Sequence, residues 1–135
     1  MGLRALGGST NAIVPLIAIA GRRGISLPLS LFDELSRTTP VIVNLKPSGQ
    51  YLMEDLFYAG GVPALLREML PSLHGEAYTV EGKTLAEAVE EATSSNGDVI
   101  RPLSQPLHAE GALAVLHGNL ACQGDLSTAG GRSRI

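Results

Sequence analysis

Val41-Ile42-Val43 is the stretch that most constrains what this chain can fold into. Three β-branched residues run unbroken between Pro40 and the turn-forming sequence Lys46-Pro47-Ser48-Gly49. A short continuous run of this kind predicts a strand buried on both faces, not one alternating between core and water. Such a strand needs apolar cover from both sides. Helical patterns on either side of it can supply that cover, so the fold class expected is mixed α/β.

The first of those patterns runs from Ser9 to about Ala20. Ser9 or Thr10 is a suitable N-cap, because a hydroxyl can accept one of the orphan backbone N–H groups. Gly21 and Gly24 predict the stop, and Arg22 and Arg23 complement the negative end of the helix dipole. Pro15 conflicts with this reading, since proline past the first turn removes a backbone hydrogen bond. Either the helix kinks there or it starts later than the cap suggests. Ser30-Leu31-Phe32-Asp33 resembles a weak capping box opening a helix to Arg37, which Pro40 ends.

After the strand, Tyr51 to Tyr58 reads as helix, stopped by Gly60-Gly61. Pro63 favours a helix start, and Pro63 to Leu70 would place Val62, Leu65, Leu66 and Met69 on one apolar face. The composition changes after Pro71. Ala77 to Val80 reads as a short strand, and Thr84 caps an Ala- and Glu-rich helix to about Thr93. Ser94 to Asp98 is a polar turn. Val99-Ile100 and Ala112 to Leu116 read as strands, with Pro102 and Pro106 confining the first to an edge or an end.

Charge and cysteine content exclude several function classes. Ten basic and thirteen acidic residues give a net charge of −3, which opposes a nucleic-acid role resting on phosphate neutralisation. No apolar run is long enough for a membrane span. Arg4 imitates a basic leader start, but glycine and polar residues precede the apolar run Ala12 to Ala20, and Arg22-Arg23 follow it. The expected compartment is the cytoplasm. The single cysteine, Cys122, excludes an internal disulfide framework and cannot alone hold an iron–sulfur cluster. It is read as an ordinary small side chain.

Two loops carry candidate chemistry. Gly7-Gly8-Ser9-Thr10-Asn11 precedes a helix N-terminus, where free N–H groups and the dipole favour an anion such as a substrate carboxylate. The plain alternative is a tight turn with an ordinary cap. Lys46-Pro47-Ser48-Gly49 follows a strand, and ligands gather at the carboxyl ends of strands in open α/β sheets. Lys46 can offset a carboxylate and Ser48 can donate a hydrogen bond; the alternative is a turn with a solvated lysine. Ser9, Thr10, Asn11, Lys46 and Ser48 are therefore the candidate substrate-binding residues.

The remaining titratable groups read as surface. Adjacent Glu54 and Asp55 point about 100° apart on a helix and cannot readily pair. Glu87, Glu90 and Glu91 form a solvated helix face. His74, His108 and His117 lack the spacing of a zinc site, and His108 with Glu110 on one face of a strand-like segment is only a weak pair.

In their order along the chain, several segments resemble the family of dihydroxy-acid and sugar-acid dehydratases. They are Gly7-Gly8-Ser9-Thr10-Asn11, Asn44-Leu45-Lys46-Pro47-Ser48-Gly49, Met53-Glu54-Asp55-Leu56, Ala59-Gly60-Gly61-Val62-Pro63-Ala64, Gly82-Lys83-Thr84-Leu85, Val99-Ile100-Arg101-Pro102 and Gly118-Asn119-Leu120-Ala121. The resemblance covers about Leu6 to about Gly124. It implies a hydro-lyase that removes water from a 2,3-dihydroxy acid to give a 2-keto acid, using an iron–sulfur cluster and Mg2+. It also implies that residues 1–72 end a large α/β domain and that 73–129 begin a smaller β-barrel-like domain. Residues 130–135 are expected to be a disordered tail.

The same resemblance implies that cluster cysteines and some metal carboxylates lie upstream of the matched segment, and that a metal glutamate and a serine base follow it. Lys46 is not the family's modified metal-binding lysine, which belongs to a Cys-Asp-Lys motif missing here. No catalytic or metal-binding residue is therefore expected in this chain. The leading expectation is a central segment of such an enzyme, inactive alone and part of a homo-oligomer. Tyr58-Ala59-Gly60-Gly61 leans toward the sugar-acid branch, whereas Lys46-Pro47-Ser48-Gly49 is also frequent in the branched-chain amino-acid enzymes. The alternative is a non-catalytic truncated relative acting as an interaction or structural module. A small phosphate-binding enzyme using Gly7 to Asn11 has only that loop in its favour.

Overall fold

The computed structural model describes residues 10–46, 49–111, 113–119 and 121–128. The architecture is helix-rich with a mixture of α and β segments. A 3-10 turn at Thr10–Ala12 leads into α1 (Ile13–Arg22), and α2 is Leu29–Thr38. Then come α3 (Met53–Tyr58), α4 (Gly61–Glu68), a second 3-10 turn (Leu70–Ser72) and the short α5 (Leu85–Ala88). The hairpin strands β1 (Leu113–Gly118) and β2 (Ala121–Thr128) follow.

α1 resolves the conflict over Pro15. The α-helix begins at Ile13, so Pro15 is its third residue. Its missing N–H falls in the first turn, where no intrahelical acceptor exists in any case. The far end is a Schellman closure. Ile25 N–H donates to Ala20 O at 3.0 Å and Gly24 N–H to Gly21 O at 3.0 Å. Gly24 has φ +71, the left-handed conformation this closure requires. Gly21 lies inside the helix, so Gly24 alone is the stop. Ser9 lies outside the described residues.

The capping box expected at Ser30 is not formed. The N-cap of α2 is Pro28 in an extended conformation, with no side-chain cap. Pro28 offers its carbonyl to Leu31 N–H at 3.1 Å, which starts the helix before Ser30 can cap it. Asp33 is thereby free to pair with Arg37 one turn on, at 2.8 Å. Its other oxygen accepts from Val115 N–H at 3.3 Å and ties α2 to β1.

Val41, Ile42 and Val43 are buried, at 4%, 0% and 2% exposure. They lie between two neighbours rather than in a long ladder. Val41 bridges His108 and Val43 bridges Ile100, both antiparallel. On one side Val41 N–H donates to His108 O (2.9 Å) and Leu107 N–H to Val41 O (2.8 Å). On the other, Arg101 N–H donates to Ile42 O (2.8 Å) and Asn44 N–H to Val99 O (3.0 Å).

Around this segment lies the main core, with Ile42, Val43, Leu45, Leu56, Ala64, Leu65, Met69, Val99 and Ile100 among its buried members. Val99 and Ile100 thus pack with residues from the first half of the chain. A second, smaller cluster joins Ile13 and Phe32, with Ile17, Leu27 and Leu29 partly buried against it.

α4 presents Ala64 and Leu65 to the main core, and Met69 follows at its C-cap. Val62, expected on that face, is 49% exposed. α4 starts at Gly61, directly after Gly60 with φ +114. A Cβ on Gly60 would collide with the carbonyl oxygen of Thr93 and with Ala64. The strand expected at Ala77 to Val80 reduces to one bridge, Tyr78 with Thr84. Tyr78 and Val80 are exposed, so no apolar face holds a longer strand there.

The helix expected from Thr84 to Thr93 ends at Ala88, beyond which Val89 turns into the interior. The polar turn at 94–98 is pinned back to the end of α3: Ser95 Oγ donates to Tyr58 O at 2.9 Å, and Ser95 N–H to Ala59 O at 3.1 Å. β1 matches the expected strand, and its antiparallel partner β2 was not expected. The side chains of Cys122 and His117, and residues 130–135, lie outside the described residues.

Candidate functional site

The turn after the central segment closes on itself through the backbone. Lys46 N–H donates to Tyr51 O (2.8 Å), Tyr51 N–H to Asn44 O (3.0 Å) and Gly49 N–H to Leu45 O (2.7 Å). Asn44 adds its side chain, accepting from Gln50 N–H through Oδ1 at 3.0 Å. A Cβ at Gly49 would lie 2.5 Å from Asn44 C and Asn44 Oδ1 and 2.6 Å from Leu45 N. Only glycine lets the turn pack this tightly onto the strand end.

That turn forms one wall of a cleft of about 470 Å³, lined by Asn44, Gly49, Gln50, Tyr51, Asp98, Arg101 and Leu107. The opposite wall comes from the segment hydrogen-bonded to the strand. Arg101 is anchored by its backbone bond to Ile42 and preceded by Val99 and Ile100, 1% and 2% exposed. Its side-chain Nε is buried without a hydrogen-bond partner. Asp98 brings a carboxylate to the same cleft; its backbone N–H donates to Asn96 Oδ1 at 2.9 Å. The cleft therefore holds one cation, one carboxylate and two primary amides around a tyrosine ring. Such a set can bind a small molecule carrying both a negative charge and hydroxyl groups.

The candidate residues read from the sequence occupy two places. Lys46 is exposed beside the cleft. Thr10 is half-buried and Asn11 exposed on the 3-10 turn before α1, at the start of the smaller cluster. Ser9 and Ser48 lie outside the described residues. Arg101, Asp98, Asn44 and Gln50 were missed as site residues. The available signal was Val99-Ile100-Arg101-Pro102, where a cation directly follows a buried apolar pair.

A second hollow of about 360 Å³ lies between α4 and α5, lined by Arg67, Leu70, Ala86, Glu87, Val89 and Glu90. Arg67 reaches across it to Val89 O at 3.5 Å. Glu87 is spent on structure. Its carboxylate accepts from Thr84 N–H at 2.8 Å while its own N–H donates to Thr84 Oγ1 at 3.3 Å. The Thr84 backbone N–H, then the Thr84 hydroxyl, hold the Glu87 carboxyl below its usual range. Asp55 does similar work at α3, accepting from Leu52 N–H at 2.7 Å; leucine offers no acceptor in return.

The described residues do not fit an iron–sulfur cluster or a metal ion. The chain has one thiol, and no three His, Cys, Asp or Glu groups converge among the described residues. His74 lies 3.7 Å from Glu76, both well exposed. No helix among the described residues is long and apolar enough to cross a membrane.

Sequence comparisons bear on this site. A family model described as dihydroxy-acid/6-phosphogluconate dehydratase N-terminal matches residues 1–88. The chain is 46% identical over 134 residues to a dihydroxy-acid dehydratase of Parasynechococcus marenigrum, covering 96% of this chain and 24% of that protein. It is 49% identical over 122 residues to an L-arabinonate dehydratase of Rhizobium leguminosarum, covering 89% and 21%. A dihydroxy-acid dehydratase of Lactococcus lactis is 47% identical over 132 residues, covering 94% and 23%. The chain thus spans less than a quarter of the length of these curated relatives.

Proposed function

We propose, because the chain belongs to the dihydroxy-acid/6-phosphogluconate dehydratase family, that it is a segment of a hydro-lyase converting 2,3-dihydroxy acids or sugar acids to 2-keto acids. The observation that carries this reading is identity above 45% to two dihydroxy-acid dehydratases and an L-arabinonate dehydratase across nine-tenths or so of the chain. In this reading residues 1–72 close a large α/β domain and 73–129 open a β-barrel-like one. The segment contributes substrate contacts, with Ser9, Thr10, Asn11, Lys46 and Ser48 as candidates. Cluster iron and Mg2+, which the family reading requires as Lewis acids, are held by parts of the enzyme other than these residues.

Exposed apolar side chains support cover by further protein. Val14 and Ile19 on α1 are 69% and 65% exposed, and Phe57 on α3 is 75% exposed. Apolar surface of this kind favours association, and the partners proposed are the remainder of the enzyme and further copies of it. The compartment proposed is the cytoplasm.

The test replaces the matching segment of the Rhizobium leguminosarum L-arabinonate dehydratase by this chain. The exchanged enzyme is expected to form 2-keto acid from L-arabinonate, and the isolated chain is expected to form none. An inert exchange, or turnover by the isolated chain that a mutation within it abolishes, contradicts the proposal.

A further inference from the structure

We infer that Arg101 is the carboxylate-binding residue of this segment, and that the cleft it shares with Asn44, Gln50 and Asp98 seats the acid end of a polyhydroxy acid. The inference rests on the hydro-lyase reading for the class of ligand, and on the cleft's geometry for its place.

Three observations support it. First, the Arg101 guanidinium has no ion pair with any carboxylate among the described residues, although Asp98 lines the same cleft. A cation left unpaired at a polar cleft is open to an anion from outside. Second, Nε of Arg101 is buried and lacks an acceptor. A buried donor without a partner carries an uncompensated desolvation cost, which a ligand oxygen removes once the guanidinium turns Nε toward the cleft. Nε with a neighbouring Nη forms the planar fork that holds a carboxylate in two parallel hydrogen bonds.

Third, the base of the side chain is fixed. The Arg101 backbone is bonded to Ile42 at 2.8 Å, and Ile100 before it is 2% exposed. The backbone that carries Arg101 needs no further ordering when the ligand arrives. The volume of about 470 Å³ lies within the roughly 300–1,000 Å³ usual for small-molecule sites.

The other groups select what lies beyond the carboxylate. Asp98 accepts from a hydroxyl and repels a second acidic group. Gln50 offers an amide donor and acceptor. Asn44 has Oδ1 engaged with Gln50 N–H and presents its Nδ2 as a donor. A monocarboxylate bearing hydroxyls on adjacent carbons matches this set; a dicarboxylate or an inorganic phosphate meets Asp98 unfavourably. Lys46, beside the cleft, adds positive potential without fixed geometry.

The experiment titrates the isotopically labelled full chain with L-arabinonate and, separately, with L-arabinitol, which keeps the hydroxyls and lacks the carboxylate. Backbone amide shifts are followed by NMR. Saturable shifts at Asn44, Gly49, Gln50 and Arg101 are expected with L-arabinonate. Binding of L-arabinitol, and of L-arabinonate to Arg101→Gln, is expected to be weaker by roughly tenfold or more, from loss of a charged hydrogen-bonded pair.

Equal affinity for the two ligands, undiminished binding by Arg101→Gln, or saturable shifts that avoid these amides would each overturn the inference. Should Arg101→Gln lose its folded spectrum, the comparison of acid and alcohol on the unaltered chain decides alone. The segment exchange reads 2-keto acid formation, so it can succeed while this inference fails.

Discussion

The two apolar clusters of this molecule differ in how far they are complete. The larger one surrounds Ile42 with side chains drawn from several stretches between Val43 and Leu103, and its central members are 0–2% exposed. The smaller one rests on Ile13 and Phe32. In α1 only Ile13 is buried, while Val14, Leu16 and Ile19 are 69%, 41% and 65% exposed. An α-helix apolar on most sides belongs inside a protein. The larger cluster is closed by this chain's own residues, whereas α1 leaves most of its apolar side chains exposed. A segment of a longer enzyme is expected to show this division.

The sharpest way to break the comparison is to open a hole in the closed cluster. Met69 is fully buried, and Met69→Ala is expected to cost about 2–5 kcal/mol of stability by denaturant unfolding. Ile19→Ala on the exposed face of α1 is expected to change it by less than about 0.5 kcal/mol. Similar losses for both would erase the distinction.

Backbone geometry gives a smaller effect. Gly60 has φ +114, and a Cβ there meets the Thr93 carbonyl and Ala64. Gly60→Ala is expected to destabilise by on the order of 1–3 kcal/mol, read as a lowered unfolding midpoint. An unchanged midpoint would mean that the close approach of α4 to residues 93–95 is not made.

The smallest effect lies at α5. Thr84→Ala removes a cap that contributes roughly 1 kcal/mol in typical helices. It should also let the Glu87 carboxyl rise toward its ordinary range, because the Thr84 hydroxyl helps hold it down. The sign follows from linkage: a folded-state pKa below the unfolded one adds stability above the unfolded value, and that stability is lost as pH falls through the folded value. Carboxyl NMR titration of Glu87 in both proteins reads this, and an identical midpoint in the variant would remove the hydroxyl's role.

Much of this arrangement was legible in the sequence. The buried run Val41-Ile42-Val43 announced the centre of the main core, since three β-branched residues between turn formers have few other uses. Pro15 left a kink or a late start open, and the α-helix start at Ile13 decides for the second. The misses have physical causes. Ser30 was read as a cap because the carbonyl of Pro28, which starts α2 first, has no side-chain signature.

β2 includes glycine, glutamine, aspartate and serine, residues that carry little strand signal; its register against β1 is set by pairing. Arg101 escaped notice because a lone arginine after an apolar pair reads as a strand end. Only the fold brings it opposite the Asn44 to Tyr51 turn, fifty or more residues earlier in the chain.

Amide hydrogen exchange on the dilute chain tests the central claim most directly. The account predicts two tiers. Amides bonded across the chain to buried core residues, such as Asn44 N–H to Val99 O and Arg101 N–H to Ile42 O, should exchange only through global unfolding. Those of Ile17 to Gly21 in α1 should exchange through local openings of much lower free energy. Protection of α1 equal to that of the main core would contradict the account, because it would show that the smaller cluster closes without any further protein.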